Sequence, residues 1–378
     1  MGYLIISDLH LGAADELEDF KCLATAGKKP TPKRRQRAIR KLHRQFAALL
    51  SHTSETLRNA HGAPTPHLIL LGDVADIWLT RNHRETIANA LLRIMAAHGP
   101  VFAALRRWTA AGGRITWVLG NHDQPLVDPA AWDLLRQAIP GLNKETAGNP
   151  AHSFAAPQAG LYAEHGHQWD PLNRLRALGN PHADCPGRRI VRHAVRPLKP
   201  VLPFIDATTT TTAIAEQLWH SRLNPATPLL PEVAAHLQRL IGRAAGPARA
   251  LWEELRATIR EPEKEPDFTR AQHHEEITPR RRIRSILYGE PRHATGTLPV
   301  PFHLLAAGHT HRRGAYTAHH RHYINPGTWK PYLRRDAQGR WAAEQRLTYA
   351  LVLQEPAGIW HAQTHQWGSH RLLLDPLR

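Results

Sequence analysis

Hydrophobic positions in this chain come in two textures. Gly2-Tyr3-Leu4-Ile5-Ile6, His67-Leu68-Ile69-Leu70-Leu71 and Arg114-Ile115-Thr116-Trp117-Val118-Leu119 are short, nearly continuous apolar runs closed by turn residues, the pattern of strands buried on both faces. Between the first two, Ile39, Leu42, Phe46, Leu49, Leu50 and Leu57 recur mostly three or four apart, which predicts an amphipathic helix from about Pro32 to Asn59. Between the second and third, Ile87, Leu91 and Ile94, then Leu105 and Trp108 beyond Pro100, predict further helix. This βαβαβ alternation predicts a largely parallel buried sheet with helices on both faces.

Further along, Gly160 to Glu164 and Phe302 to Ala307 read as two more buried strands. His322 to Ile324, Leu347 to Leu353 and Ile359 to Trp367 are shorter or alternating runs among turns, and predict an antiparallel second sheet. From Trp169 to about Pro299 the texture becomes Pro- and Arg-rich and mainly helical, with helices expected over Ile214 to Leu223, Val233 to Ile241 and Ala248 to Ile259. The Thr208 to Thr212 run reads as a loop whose last hydroxyl caps a helix, and Glu261 to Asp267 as an exposed linker. The expected organisation is a core over 1–167 and 300–378, interrupted by a mainly helical insertion over 168–299 placed to act as a lid or binding element.

Composition narrows the class. With 378 residues, 42% of them hydrophobic, the chain can bury a large core. No apolar run approaches the roughly 18 residues of a bilayer span, and the first residues lack the basic start and cleavage site of a secretory signal. Cys22 and Cys185 are the only cysteines, too few for a disulfide framework or a cysteine metal site, so a reducing cytoplasm is the expected location. The net charge of +17 favours a polyanionic partner. Nine Lys and Arg fall between Lys28 and Arg44, and no acid stands between Asp19 and Glu55.

The candidate chemistry lies just past the strands. Asp8-Leu9-His10, Gly72-Asp73, Gly120-Asn121-His122-Asp123, His165-Gly166-His167 and Gly308-His309-Thr310-His311 each follow an apolar run. Every candidate ligand there is a hard or borderline donor suited to Mn, Fe or Zn. Residues two apart at a strand end point to one side, so Asp8 and His10 can reach one ion together, and His309 and His311 can straddle two.

These five blocks resemble the calcineurin-like metallophosphoesterases, and within them the branch of UDP-diacylglucosamine pyrophosphatase-like enzymes. The resemblance implies an α/β fold of two packed β-sheets flanked by helices in a βαβ pattern, with a helical insertion. It implies two divalent ions, Mn2+ foremost with Fe or Zn as alternatives. One would be held by Asp8, His10, Asp73 and His311, the other by Asp73, Asn121, His165 and His309. It further implies hydrolysis of a phosphoester or pyrophosphate by a metal-bridging hydroxide, His122 acting on the leaving oxygen and Asp76 orienting it, with capping of a helix as the other role open to Asp76. Arg81, Arg312, Arg313 and His167 are the candidate substrate contacts. Expected partners are a phosphorylated small molecule or nucleotide-linked substrate, with peripheral membrane contact as a further candidate. The alternatives are a metal-dependent nuclease using the basic surface, and a scaffold that keeps the fold without catalysis. Asp123 is assigned no role beyond capping its turn.

Overall fold

The computed structural model describes residues 2–15, 17, 32–59, 65–82, 84–169, 173–196, 199, 302–318, 321–335, 341–355 and 359–373. The three apolar runs form β1 (Gly2–Ile6), β2 (His67–Leu71) and β3 (Arg114–Val118), parallel and adjacent. Around them lie α1 (Pro32–Asn59), α2 (Ile77–Thr80), α3 (Ile87–Ala97), α4 (Gly99–Ala110) and, beyond β3, α5 (Pro129–Ala138). Thr86 and Asp128 cap α3 and α5 by accepting from Asn89 N and Ala131 N, satisfying amides that a helix start leaves unpaired.

Because successive strand residues face opposite ways, β1 sorts its side chains between two cores. Leu4 and Ile6, with Leu68, Leu70, Ile115 and Trp117, pack against Ile39, Leu42 and Phe46 of α1 and the apolar faces of α3 to α5. Tyr3 and Ile5, with Ile69, Leu71 and Val118, pack instead against Leu161, Ala163, Leu304, Ala306 and Ile324. Those partners belong to a second sheet, so the expectation of helices on both faces of the first sheet is corrected: one face takes helices, the other takes strands. A continuous apolar run reports burial on two sides and carries no information about what covers each side.

The second sheet runs in the order β4 (Ser153–Ala156), β5 (Leu161–Glu164), β6 (Leu304–Ala307), β8 (Arg321–Asn325), β7 (Gly314–Ala318). Its central strands β5, β6 and β8 are parallel, and only its edges are antiparallel. The C-terminal strands divide between the sheets. β10 (Trp341–Gln354) lies antiparallel beside β1, with Gly2 opposite Leu353, and carries β9 (Tyr332–Arg335) and β11 (Trp360–Leu373). The expected antiparallel second sheet is corrected accordingly. Strand type was readable from local pattern, but pairing depends on partners hundreds of residues away.

The expected helices over 214–223, 233–241 and 248–259, the threonine loop and the Glu261 to Asp267 linker lie outside the described residues. Among the described residues no single helix is long and apolar enough to cross a membrane.

Candidate metal centre

The carboxyl ends of β1, β2, β3, β5 and β6 converge on one edge of the two-sheet stack, where open α/β sheets place ligands. The tips are held by backbone bonds between neighbours: Asp8 N to Gly72 O at 3.0 Å, His10 N to Asp73 O at 2.8 Å, and Leu11 N to Val74 O at 2.9 Å. Five of the candidate ligands occupy the left-handed backbone region, with φ of 54° at Asp8, 47° at His10, 50° at Asp73, 69° at His309 and 57° at His311. Non-glycine residues rarely sit there, at a cost on the order of 1–3 kcal/mol each, and such strain concentrates at functional sites. Close approach explains two glycines. A Cβ on Gly120 would collide with the Asp73 carboxylate, and one on Gly308 with Ser7 Oγ and the Asp8 carboxylate.

Two clusters of donor atoms result. Asp8, His10 and His311 bring ligand atoms within 4.8 Å of one another, as do Asp73, His165 and His309. His311 Nε2 lies 3.1 Å from Asp8 Oδ1, and His10 Nε2 lies 3.2 Å from His311 Nε2. The Asp73 carboxylate stands between the clusters, its Oδ2 3.2 Å from His165 Nε2 and 3.8 Å from His10 Nε2. Its other oxygen is fixed by the amide of His122 at 2.8 Å. Among the described residues, buried Asn121 Oδ1 has no hydrogen-bond partner, and buried Asp8 Oδ1 and His165 Nε2 have only the histidine–carboxylate contacts just given, although buried polar atoms are otherwise almost always paired. Converging oxygen and imidazole donors with an orphaned acceptor fit divalent cations.

The electrostatics agree with that fit. Burial alone would raise the Asp8 carboxyl, yet His165 and His311 beside it hold it well below the usual carboxylate range. Asp73 is likewise lowered, against burial, by His165 and His122. Burial and Lys330 oppose charging of His10, but Asp76 and Asp8 push it up to about 10. His165, also buried, is raised to about 9 by Asp73 and Asp8. Burial pushes His311 down to about 4 despite Asp8. A nest of carboxylates that charges buried imidazoles is a nest that prefers a cation.

Asp76 touches both a helix start and the His122 ring. Its Oδ1 accepts from Leu79 N at 3.0 Å, capping α2, and lies 2.7 Å from His122 Nδ1, while its Oδ2 lies 3.2 Å from His10 Nδ1. Asp76 therefore sets the orientation of two imidazoles at once. His122 also forms a group with His10 and Asp73, and its ring packs against Trp78 at 4.7 Å between centroids. Leu175, Ala183 and Cys185 close over Trp78, with Leu178 and Val191 behind them. This apolar wall is tied to the β3 tip by Gln124 Nε2, which donates to Leu178 O and Asn180 O at 2.8 and 2.7 Å.

The other candidates stand differently. His167 is buried, 5.5 Å from the His165 ring and 6.4 Å from the His309 ring. Burial, then His165 and His309, hold it well below the usual imidazole range, so it is neutral. Arg81 Nε donates to Glu85 O at 2.8 Å, and Arg312 and Arg313 are exposed beyond His311.

Sequence reasoning missed several residues that hold the site together. Asp123 does more than cap a turn: its carboxylate accepts from Gly120 N at 2.5 Å, Val74 N at 2.9 Å and Trp117 Nε1 at 2.9 Å, clamping the β2 tip to the β3 tip. Thr328 Oγ1 and Trp329 N donate to Asp8 O at 2.8 and 3.1 Å, and Asn325 Nδ2 donates to Gly308 O at 3.0 Å. Lys330 is buried beside His10 and His311. The run Asn325-Pro326-Gly327 signals a turn, but its span gives no hint of the strand tip it supports.

A model of the calcineurin-like phosphoesterases matches residues 1–201 of the chain. No curated protein matches it. The matched residues cover more than half of the chain and carry four of the five tips, and the fifth, after β6, completes both donor clusters. The chain therefore belongs to the calcineurin-like phosphoesterase family and is a metal-dependent phosphoesterase, a hydrolase.

Proposed function

We propose that the protein hydrolyses a phosphoester or pyrophosphate bond using two divalent ions and His122 as the acid for the leaving oxygen. One ion is assigned to Asp8, His10, Asp73 and His311, the other to Asp73, Asn121, His165 and His309, with the Asp73 carboxylate shared because it lies between the two clusters. Manganese suits this mixture of carboxylate, amide and imidazole, with iron or zinc as alternatives. When bound, such ions lower the pKa of water toward neutrality and neutralise phosphoryl oxygens.

The protein's own residues supply the rest. His122 Nδ1 is engaged by Asp76 at 2.7 Å, which leaves Nε2 to give a proton to the departing oxygen. The observation that carries the reading is this oriented imidazole at the edge of two buried donor clusters. The apolar wall over Trp78 and the resemblance to the UDP-diacylglucosamine pyrophosphatase branch favour a nucleotide- or lipid-linked small substrate, with Arg81, Arg312, Arg313 and His167 as its contacts. The free Cys185 is consistent with a cytoplasmic location. A nuclease is the second reading, supported by the basic face of α1.

The test uses metal-stripped protein reloaded with Mn2+ and supplied with bis(p-nitrophenyl) phosphate, nucleotide-sugars, cyclic nucleotides and oligonucleotides. Metal-dependent hydrolysis of at least one is expected, and absence of turnover on all of them overturns the reading. His122→Ala is expected to keep both ions and slow turnover by about 10²–10⁴.

A further inference from the structure

The exposed face of α1 divides along its length. At 100° per residue, Lys33, Arg37, Arg40, Lys41 and Arg44 fall within an arc of about 100°; Lys33, Arg37, Arg40 and Arg44 are spaced about 4.5–6 Å apart along the axis, with Lys41 beside Arg40. That stripe lies opposite the buried Ile39, Leu42, Phe46 and Leu49. Four of the five cations are exposed and Lys41 is half-buried, and none pairs with a carboxylate among the described residues. Continued toward the C-terminus, the same stripe carries Ala48, Ser51 and Glu55, and then Arg58, whose guanidinium is already engaged by Ala111 O. The helix changes character partway along one face.

The changeover lies at the level of the metal centre. Leu57 packs at the start of β1, where its Cδ2 would lie 2.6 Å from a Cβ on Gly2. Phe46 packs edge-on against Trp329 with centroids 5.5 Å apart, and the Trp329 amide donates to Asp8 O. Phe46 therefore marks the level of the Asp8 tip, and the turns carrying the cations continue about 20 Å past it, on the side of the sheet where the site opens. His43 Nε2, 3.1 Å from His98 Nδ1 at the start of α4, fixes this upper half in place.

We infer that the cationic stripe from Lys33 to Arg44 is a docking rail for the phosphate backbone of a nucleic-acid strand, held beside the catalytic mouth. A row of cations that meet no carboxylate among the described residues, stepping about one helical turn at a time along a rigid rod, matches a chain of regularly spaced phosphates, and the net charge of +17 adds long-range attraction. The row is narrow and one-sided, which suits a strand more than a membrane plane. Docking does not depend on hydrolysis. Its use in delivering a phosphodiester to the metals rests on the hydrolase reading.

The test is fluorescence anisotropy of a labelled single-stranded phosphorothioate oligonucleotide with the metal-loaded full chain across a salt series. Five backbone contacts predict a slope of log K against log salt of about −3.5. The triple variant Arg37→Gln, Arg40→Gln, Arg44→Gln is expected to flatten that slope by about 2 and weaken low-salt binding at least tenfold. Its hydrolysis of bis(p-nitrophenyl) phosphate should be unchanged, and Arg107→Gln on α4 should leave binding unchanged. Three results overturn the rail: no binding at low salt, equal slopes in wild type and triple variant, or loss of oligonucleotide to phosphatidylserine vesicles that bind through the same arginines. Binding without any hydrolysis would leave the rail standing and remove the hydrolase reading.

Discussion

The two sheets bring different chemistry to the candidate metal centre. The first, through β1, β2 and β3, contributes Asp8, Asp73 and Asn121 along with His10 and His122. The second, through β5 and β6, contributes only imidazoles: His165, His309 and His311. The carboxylates alone would repel one another, and the imidazoles alone carry no fixed negative charge to hold a dication. The two sets of side chains are brought together by the packing of Tyr3, Ile5, Ile69 and Leu71 against Leu161, Ala163, Leu304 and Ala306. Sheet packing is thus a condition of chemistry as well as of stability.

That division can be broken from either side. The largest effect is expected from Asp73→Asn, which removes the charge standing between both clusters; metal analysis should show both ions weakened and hydrolysis should fall to background. His309→Ala acts on the second sheet alone, and there the expected outcome is loss of one ion per chain with the other retained. Equal loss of both ions in the two variants would show that the clusters do not divide as assigned.

Next in size is Asp123→Ala, which touches no donor cluster but unclamps the β2 and β3 tips. A 10–100-fold drop in metal affinity is expected, read by titration with Mn2+, with Asp123→Asn intermediate. Retention of wild-type affinity in the alanine variant would make Asp123 a fold residue only.

The smallest effect is in pH dependence. His10 and His165 are raised to about 10 and about 9, so their ion pairs with the carboxylates contribute stability that is full below the ordinary imidazole value and is lost as pH rises through 9–10. Asp8, Asp73 and Asp76, held low, contribute above the ordinary carboxylate range and lose that contribution only on strong acidification. Metal-stripped protein should therefore show a urea midpoint that falls between pH 6.5 and 10. Metal-loaded protein should lack that slope, because a ligating imidazole has no titrating proton to lose. A flat profile for the stripped protein would contradict the imidazole–carboxylate pairing.

The sequence was informative where physics is local. The apolar runs of β1 to β3 and the stripe of α1 were legible because burial on two faces, or on one, leaves a pattern within a few residues. The five tips were legible because each places donors directly after such a run. What stayed hidden is what depends on distance. Nothing near Asn325 or Thr328 announces that they hold Gly308 and Asp8, and nothing near Leu353 announces that it lies opposite Gly2. Asp123 was hidden for another reason: a carboxylate beside a glycine turn has a sufficient local use, and that use concealed the Val74 amide and the Trp117 indole N–H that it also accepts from.

The pairing of β1 with β10 has a consequence in time. During synthesis the first strand leaves the ribosome hundreds of residues before its neighbour, and the loop that holds Asp8 by its carbonyl comes only shortly before that neighbour. Until then only the β2 tip, through Gly72, Asp73 and Val74, is available to hold the aspartate and histidine of the first tip. The N-terminal tip is thus the first part of the centre to be made and among the last to be secured, and assembly of the hydrolase waits on nearly the whole length of the chain.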